Sequence, residues 1–455
     1  MSKLLVVAAC VAGLLGVVSS AGANLIVGVN DSAGYEASVP SFFFPTMQAE
    51  GLKTDALTLR WDETQPTTID PVLGPAITAD IQSAASAGIT VELDLYPLHS
   101  QALTDGRKCA PSTNPEACGD STRIAQFAAW TAMVAQTFPT VHEFVVMNEC
   151  NQPLFLNPQW NTAGGNQSAE ICGRALAASY DALKAVSPDN FIWGVGLSPR
   201  GNDNPNTNSN SSTSPVHFLV DLGTWFKAFA HMTRRTAPLM NGLDFHPYPI
   251  PQSLPITIGY RNTNDASIAN LPRIYQAFYD GFAGSPQRTI GQQPGGGLPL
   301  SLNEMGIQTN EVGVPGYSGV EVSANGAGGV VGNTASQAYQ AAYYGAMLNL
   351  LACDPNVRTV NLFHLVDEPD LEGWQSGLYE VGTGTPVPKL AAASVQAWLT
   401  RTDGACQGKV SAWRPGTASP VTAEGVNKPS VNKQSVKKSG VEKGALAGAG
   451  RAANP

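Results

Sequence analysis

The feature that most constrains this chain is a unit repeated eight times between residues 24 and 406: a short apolar run, a loop with Gly, Pro or Asn, then a longer helical stretch. The apolar runs fall at 25–29, 56–61, 90–96, 143–148, 191–197, 242–246, 298–303 and 359–365. They are rich in Val, Ile, Leu and Phe, the composition of strands covered on both faces. The helical patterns fall at 42–51, 78–87, 123–138, 169–186, 218–236, 271–282, 336–352 and 389–400. Two of them run into stop signals, Ser187-Pro188 and Asp354-Pro355, because a proline disfavours helical backbone in the residue before it. Eight strand–helix units predict a closed parallel (β/α)8 barrel of the TIM class, serving as one catalytic domain. An open doubly wound sheet uses the same units. No GxGxxG follows the first strand, however, which removes its main dinucleotide-binding version, and no cofactor is expected.

The two ends read differently from the repeats. Lys3 precedes an apolar run over 4–18 and the small residues Ala21, Gly22 and Ala23, the pattern of a secretory signal cleaved after Ala23. That run is shorter than the roughly 20 residues of a membrane-spanning helix, and no later segment is apolar enough to cross a bilayer. The segment 407–455 holds eight Lys or Arg and two Glu, a net +6 that leaves −15 elsewhere in a chain of net charge −9. Without apolar periodicity it reads as a disordered basic tail. The acidic remainder, 24–406, repels phosphates, so no nucleic-acid partner is expected; a secreted monomer is.

Cys10 falls within the signal, and six cysteines remain: Cys109, Cys118, Cys150, Cys172, Cys353 and Cys406. An even number in an exported protein implies disulfides, with about 15 possible connectivities. Proximity favours Cys109 with Cys118, Cys150 with Cys172, and Cys353 with Cys406. Barrel topology agrees, placing the second pair near the carboxyl ends of the strands and the third near the opposite face. No CxxC or HxxxH spacing occurs, and no metal is expected.

In such a barrel the active site is built at the carboxyl ends of the strands. The fourth apolar run ends in Asn148-Glu149 and the seventh in Asn303-Glu304-Met305-Gly306, so two glutamates stand on nearly opposite sides of one mouth. Paired carboxylates are what glycosidic cleavage needs, one to protonate the leaving oxygen and one to attack the anomeric carbon or activate water. A single Glu after a strand is ordinarily a surface charge; two at these ordinals point to catalysis.

Over residues 24–400 this pattern resembles glycoside hydrolase clan A, the family 5 cellulases and related retaining barrel glycosidases, in which an Asn-Glu pair ends strand four and a second Glu ends strand seven. The resemblance implies Glu149 as general acid/base and Glu304 as nucleophile of a double displacement, with Asn148 beside the acid. It also implies that Arg60 hydrogen-bonds Glu304 and keeps it ionised. The stretch Asp244-Phe245-His246-Pro247-Tyr248 resembles the family's His-x-Tyr element, with His246 lining the sugar site and Tyr248 steadying Glu304. The eighth strand departs from the family pattern, running His364-Leu365-Val366-Asp367-Glu368-Pro369 before Gly373-Trp374. Trp374 is the candidate sugar platform there, with Asp367 and His364 as alternatives. After the third strand, Tyr96 and His99 compete for one role. Trp61 and Trp160 are further candidate platforms, whereas Trp130, Trp225 and Trp398 lie in helical patterns and read as packing.

The expectation is therefore a secreted glycosidase acting on an oligo- or polysaccharide. A barrel that has lost turnover and only binds cell-wall carbohydrate is the competing reading. A serine hydrolase is remote, since no Gly-x-Ser-x-Gly occurs.

Overall fold

The computed structural model describes residues 24–32, 40–207, 211–291, 297–309, 335–369, 373–381, 384–411 and 413–415. The segment expected to be a secretory signal, 1–23, and most of the segment expected to be a basic tail lie outside the described residues.

Eight parallel strands close into a barrel in sequence order: β1 (Ile26–Asn30), β2 (Thr54–Trp61), β3 (Thr90–Pro97), β4 (Glu143–Val146), β5 (Phe191–Leu197), β6 (Gly242–Phe245), β7 (Leu300–Met305) and β8 (Val357–Leu362). β8 returns to β1, with Val27 opposite Val360. The helices between and after them are α1 (Pro40–Glu50), α2 (Leu73–Ala87), α3 (Ser121–Thr137), α4 (Gln167–Val186), α5 (Pro215–Thr233), α6 (Leu271–Phe282), α7 (Gln337–Leu351) and α8 (Leu390–Thr402). This is the predicted (β/α)8 barrel. A two-stranded antiparallel pair, β9 (Tyr379–Glu380) with β10 (Val387–Pro388), sits between β8 and α8 and has no counterpart in the sequence reading.

Local chemistry sets the element ends. The Asp120 carboxylate accepts from the Thr122 and Arg123 amides at the start of α3, Asn166 caps α4 through the Ala169 amide, and Ser336 caps α7 through the Tyr339 amide. Gly88 ends α2 at φ 73°, where a side chain would be strained. The three disulfides are Cys109–Cys118, Cys150–Cys172 and Cys353–Cys406, the pairs expected. Residues 407–415, the start of the basic segment, pack on the barrel where described: Ser411 donates its amide to the Cys353 carbonyl, and Trp413 is buried edge-on to Tyr275 at 5.7 Å.

The barrel interior is more polar than Val- and Leu-rich strands suggest. Thr54 Oγ1 donates to Asn361 Oδ1 at 2.7 Å, Asn361 Nδ2 to Asn303 Oδ1 at 2.7 Å, and Asn303 Nδ2 to Asp94 Oδ2 at 2.9 Å. Asn30 Nδ2 donates to the same Asp94 oxygen at 3.0 Å, so one hydrogen-bonded chain ties β1, β2, β3, β7 and β8 together. Buried polar groups are tolerated when they are partnered in this way. The residues responsible, one from each strand, are all buried and face one another inside the barrel.

Candidate active site

The sixth strand supplies the centre of the site. Asp244 lies in β6 and His246 and Tyr248 in the segment just after it, with His246 against both. His246 is almost wholly buried. Its Nδ1 lies 3.3 Å from Glu149 Oε1 and 3.4 Å from Glu304 Oε2, while its Nε2 lies 3.3 Å from Asp244 Oδ2. One oxygen each from Glu149 and Glu304 and a His246 nitrogen all fall within 4.8 Å of one another. The two glutamates, 155 positions apart in sequence, thus converge on one imidazole.

Glu149 reaches this point through unusual backbone. Met147 has φ 69° and Glu149 φ 37°, and on the neighbouring strand Val195 has φ 76° and Gly196 φ 40°. A β-branched residue at positive φ is strained, and such outliers, each costing about 1–3 kcal/mol, concentrate at functional sites. Hydrogen bonds hold the turn: the Met147 amide donates to the Leu95 carbonyl and the Glu149 amide to the Gly196 carbonyl, both at 2.9 Å. Gly196 is needed for a second reason. A Cβ there would lie 3.0 Å from both Asn148 Oδ1 and His246 Nε2, so any side chain would push against the amide and the imidazole. The turn also explains why β4 stops at Val146 rather than running to residue 148.

Glu304 reaches the same space from β7, where the register against β8 shifts between Leu302 and Met305. Asn303 can therefore bond Asp94 inside the barrel while the next residue still reaches the mouth. Tyr248 Oη donates to Glu304 Oε2 at 3.0 Å. Burial pushes the Glu304 carboxyl up to about 7, aided by Glu149 and Asp244, while the His246 cation and the Tyr248 hydroxyl pull it down. Burial also works against a charged His246, but Glu304, Asp244 and Glu149 outweigh it and hold the imidazole protonated well above its usual range. Beneath them, burial first and then the Asp244 and Glu304 charges push the Asp94 carboxyl upward.

The sequence-derived residues fall into three groups. Glu149, Glu304, Asn148, His246 and Tyr248 are brought together. So is Trp374, whose ring centre lies 5.0 Å from that of Tyr248 and 5.4 Å from that of Phe363. Arg60 is not brought to Glu304: it is exposed beside Tyr96, its partner across β2 and β3, and the cation nearest Glu304 is His246. The expected depression of the Glu304 pKa through Arg60 is accordingly reversed by burial. Trp61 and Trp160 are buried, against Phe127 and His217 respectively, so neither can be a sugar platform. Asp367 is committed to Lys389 at 2.6 Å in a fully buried pair. His99 pairs with Glu63 at 3.0 Å on the rim, whereas the half-buried Tyr96 phenol feels Arg60, Glu304 and Asp94 and is the third-strand residue nearer the carboxylates.

Residues that sequence reasoning missed are Asp244, Asp94, Asn303 and Gly196. Asp244 did carry a signal, since it is an acid inside the otherwise apolar β6, and Asp94 carried a weaker one, sharing β3 with Glu92. Among the described residues, two clusters could hold a cation, Glu149 with His246 and Glu304, and Asp62 with Glu63 and His99. In the first, an ion would have to displace a charged imidazole from both carboxylates.

No known family model matches this sequence, and no curated protein does. Among solved structures, a family 39 glycoside hydrolase from the gut symbiont Bacteroides cellulosilyticus WH2 superposes with a TM-score of 0.53 at 15% identity, covering 82% of this chain and 63% of that one. The chain thus spans less than two thirds of that protein's length. GH5_18 from Bifidobacterium longum subsp. infantis superposes with a TM-score of 0.51 at 13% identity, covering 85% of this chain and 80% of that one. At such identities the likeness shows a shared barrel fold.

Proposed function

We propose that this chain is a retaining glycoside hydrolase of the clan A type, exported from the cell, that cleaves β-glycosidic bonds in an oligo- or polysaccharide. The observation that carries this reading is the approach of Glu149 and Glu304 oxygens to within 4.8 Å of each other and of His246. Retaining enzymes hold their carboxyl groups about 5–5.5 Å apart, whereas inverting ones leave about 6.5–9.5 Å for a water. The short spacing favours direct attack.

In the first step Glu304 attacks the anomeric carbon while Glu149 gives its proton to the departing oxygen. In the second, Glu149 takes a proton from water, and the hydroxide released to the anomeric carbon frees the sugar from Glu304. The pair therefore needs one proton between them. Tyr248 orients Glu304 through the 3.0 Å hydrogen bond. His246, held by Asp244, spans both carboxylates and balances their charge. Trp374 offers an aromatic face beside Tyr248 on which a sugar ring would stack. The glycoside hydrolase named among the structural neighbours supports the reaction class. Three disulfides and the leader at 1–23 support export.

Mass spectrometry after incubation with a series of 2-fluoro β-glycosides tests this reading. A sugar adduct on the peptide containing Glu304, absent in E304Q, is the expected result. Saturable carbohydrate binding with neither adduct nor release of aryl aglycone would instead make the chain a binding barrel.

A further inference from the structure

A cavity of about 510 Å3 opens in the loops after β5 and β6, lined by Arg200, Ile250, Pro251, Tyr260, Arg261, Asn262 and Asp265. Its size is within the range of sites that hold small ligands. Hydrogen bonds link its walls to the backbone of Glu149 and Tyr248. Gln152, whose amide donates to the Glu149 carbonyl at 2.7 Å, donates its side-chain NH2 to the Arg200 carbonyl at 2.6 Å. On the other wall the Tyr260 hydroxyl donates to the Tyr248 carbonyl at 2.6 Å and accepts from the Ile250 amide at 2.8 Å.

The cavity is also rigidly built. Arg273 Nη1 donates to the carbonyls of Tyr260, Asn262 and Asp265 at 3.0, 2.8 and 2.9 Å, and Asn270 Oδ1 accepts from the Tyr260 amide at 2.6 Å. The opposing loop is fixed by Asp203, which accepts from the Ser214 amide and from Asn264 Nδ2. Arg200 lies over the Tyr260 ring at 5.6 Å, which orients its guanidinium, and its charge also reaches Asp265 on the same lining. Neither Arg200 nor Arg261 forms an ion pair among the described residues. Asp265, the acid on the lining, spends one oxygen on the Gly201 amide at 3.2 Å.

Two exposed guanidinium groups, neither in an ion pair among the described residues, thus line one cavity in a chain of net charge −9 whose catalytic mouth is itself acidic. A neutral sugar needs no such charge, whereas arginine forks match the geometry of carboxylate and sulfate oxygens. We propose that this cavity is a subsite for a sugar carrying an anionic substituent, gripped by Arg200 and Arg261 with Tyr260 and Asn262 at its sides. The inference rests on the glycosidase reading and narrows its substrate to an acidic saccharide, either a uronate or a sulfate ester.

Calorimetric titration in an E304Q background, where no turnover competes, tests it with three ligands on one backbone: cellotetraose, its C6-carboxylated form and its C6-sulfated form. At least one acidic form should bind ten-fold or more tightly than the neutral one, with an affinity that falls as salt rises. R200Q/R261Q should abolish that preference, and R261Q alone, at an exposed side chain, should reduce it. A carboxylate preference names a uronate; a sulfate preference names the ester. Three equal affinities, no binding of either acidic form, or a preference surviving in R200Q/R261Q overturns the subsite. Hydrolysis of aryl β-glycosides by the unaltered chain separates the two ideas: turnover without acidic preference removes only the subsite, and acidic preference without turnover removes only the hydrolase.

Discussion

As the proposed nucleophile, Glu304 is under opposing demands. A nucleophile must be ionised, yet burial pushes this carboxyl up to about 7, so hydrogen bonds and the His246 charge have to supply the ionised form. Tyr248 is the neutral donor among them. Y248F removes a hydrogen bond to a charged group, worth about 1.5–3 kcal/mol, so kcat/KM should fall roughly 10- to 100-fold. The pH profile carries the sharper test. Loss of a bond that favours the carboxylate raises the Glu304 pKa, so the acid limb of kcat/KM should move to higher pH. A fall in rate with an unmoved limb would make Tyr248 a packing residue. These contacts were only half legible: His246 and Tyr248 stand out as His-x-Tyr after a strand, while Gly196 has no pattern to betray it. Its role depends on two side chains, Asn148 and His246, that arrive from other strands.

At the scale of elements, the loop after β8 is held by a buried ion pair. Lys389, just before α8, donates to Asp367 at 2.6 Å, to Thr309 Oγ1 at 3.0 Å and to the Gln375 carbonyl at 3.1 Å. Asp367 also accepts from the Gly377 amide at 2.8 Å. Trp374 lies between these anchors in sequence. K389M leaves a buried carboxylate without its cation and should cost about 3–5 kcal/mol in urea unfolding. K389M/D367L should recover most of that loss, because a well-packed apolar pair replaces a desolvated one. A single-variant cost below about 1 kcal/mol would contradict the role given to the pair. Sequence alone left Asp367 open as a sugar contact, since an Asp after a strand looks the same whether it faces substrate or a lysine 22 residues on.

For the whole molecule, several buried groups bind protons more tightly folded than unfolded. Burial pushes Asp80 and Asp265 to about 6 and Glu304 to about 7. At His217 burial opposes the charge, but Asp203 and Asp221 outweigh it and raise the imidazole to about 9. For each, the stabilising contribution is complete below the unfolded pKa and is lost as pH rises through the folded one. His364, drawn down to about 3 by burial and Lys389, and Asp203, held low by His217 and Ser214 despite its burial, act in the opposite sense at the acid end. The urea midpoint should therefore fall from about pH 6 to about pH 9. A midpoint that rises over that interval would show that the raised groups do not dominate.

Periodicity and composition determined the barrel, the order of its strands and the three disulfides, because hydrophobic pattern and chain proximity are local properties that survive in one dimension. Helix boundaries were read to within a few residues, with 271–282 matched end for end, since caps and prolines are local too. The same locality delivered Glu149 and Glu304 to the mouth, each as the residue that ends an apolar run. Tertiary structure alone decided which charges meet. It set Arg60 aside and gave its expected place to His246, buried Trp61 and Trp160, filled the interior with a polar chain through Asp94, and opened an arginine-lined cavity between loops far apart in sequence. Electrostatic and steric partners are set by distance in space, and the closure of the sheet fixes that distance.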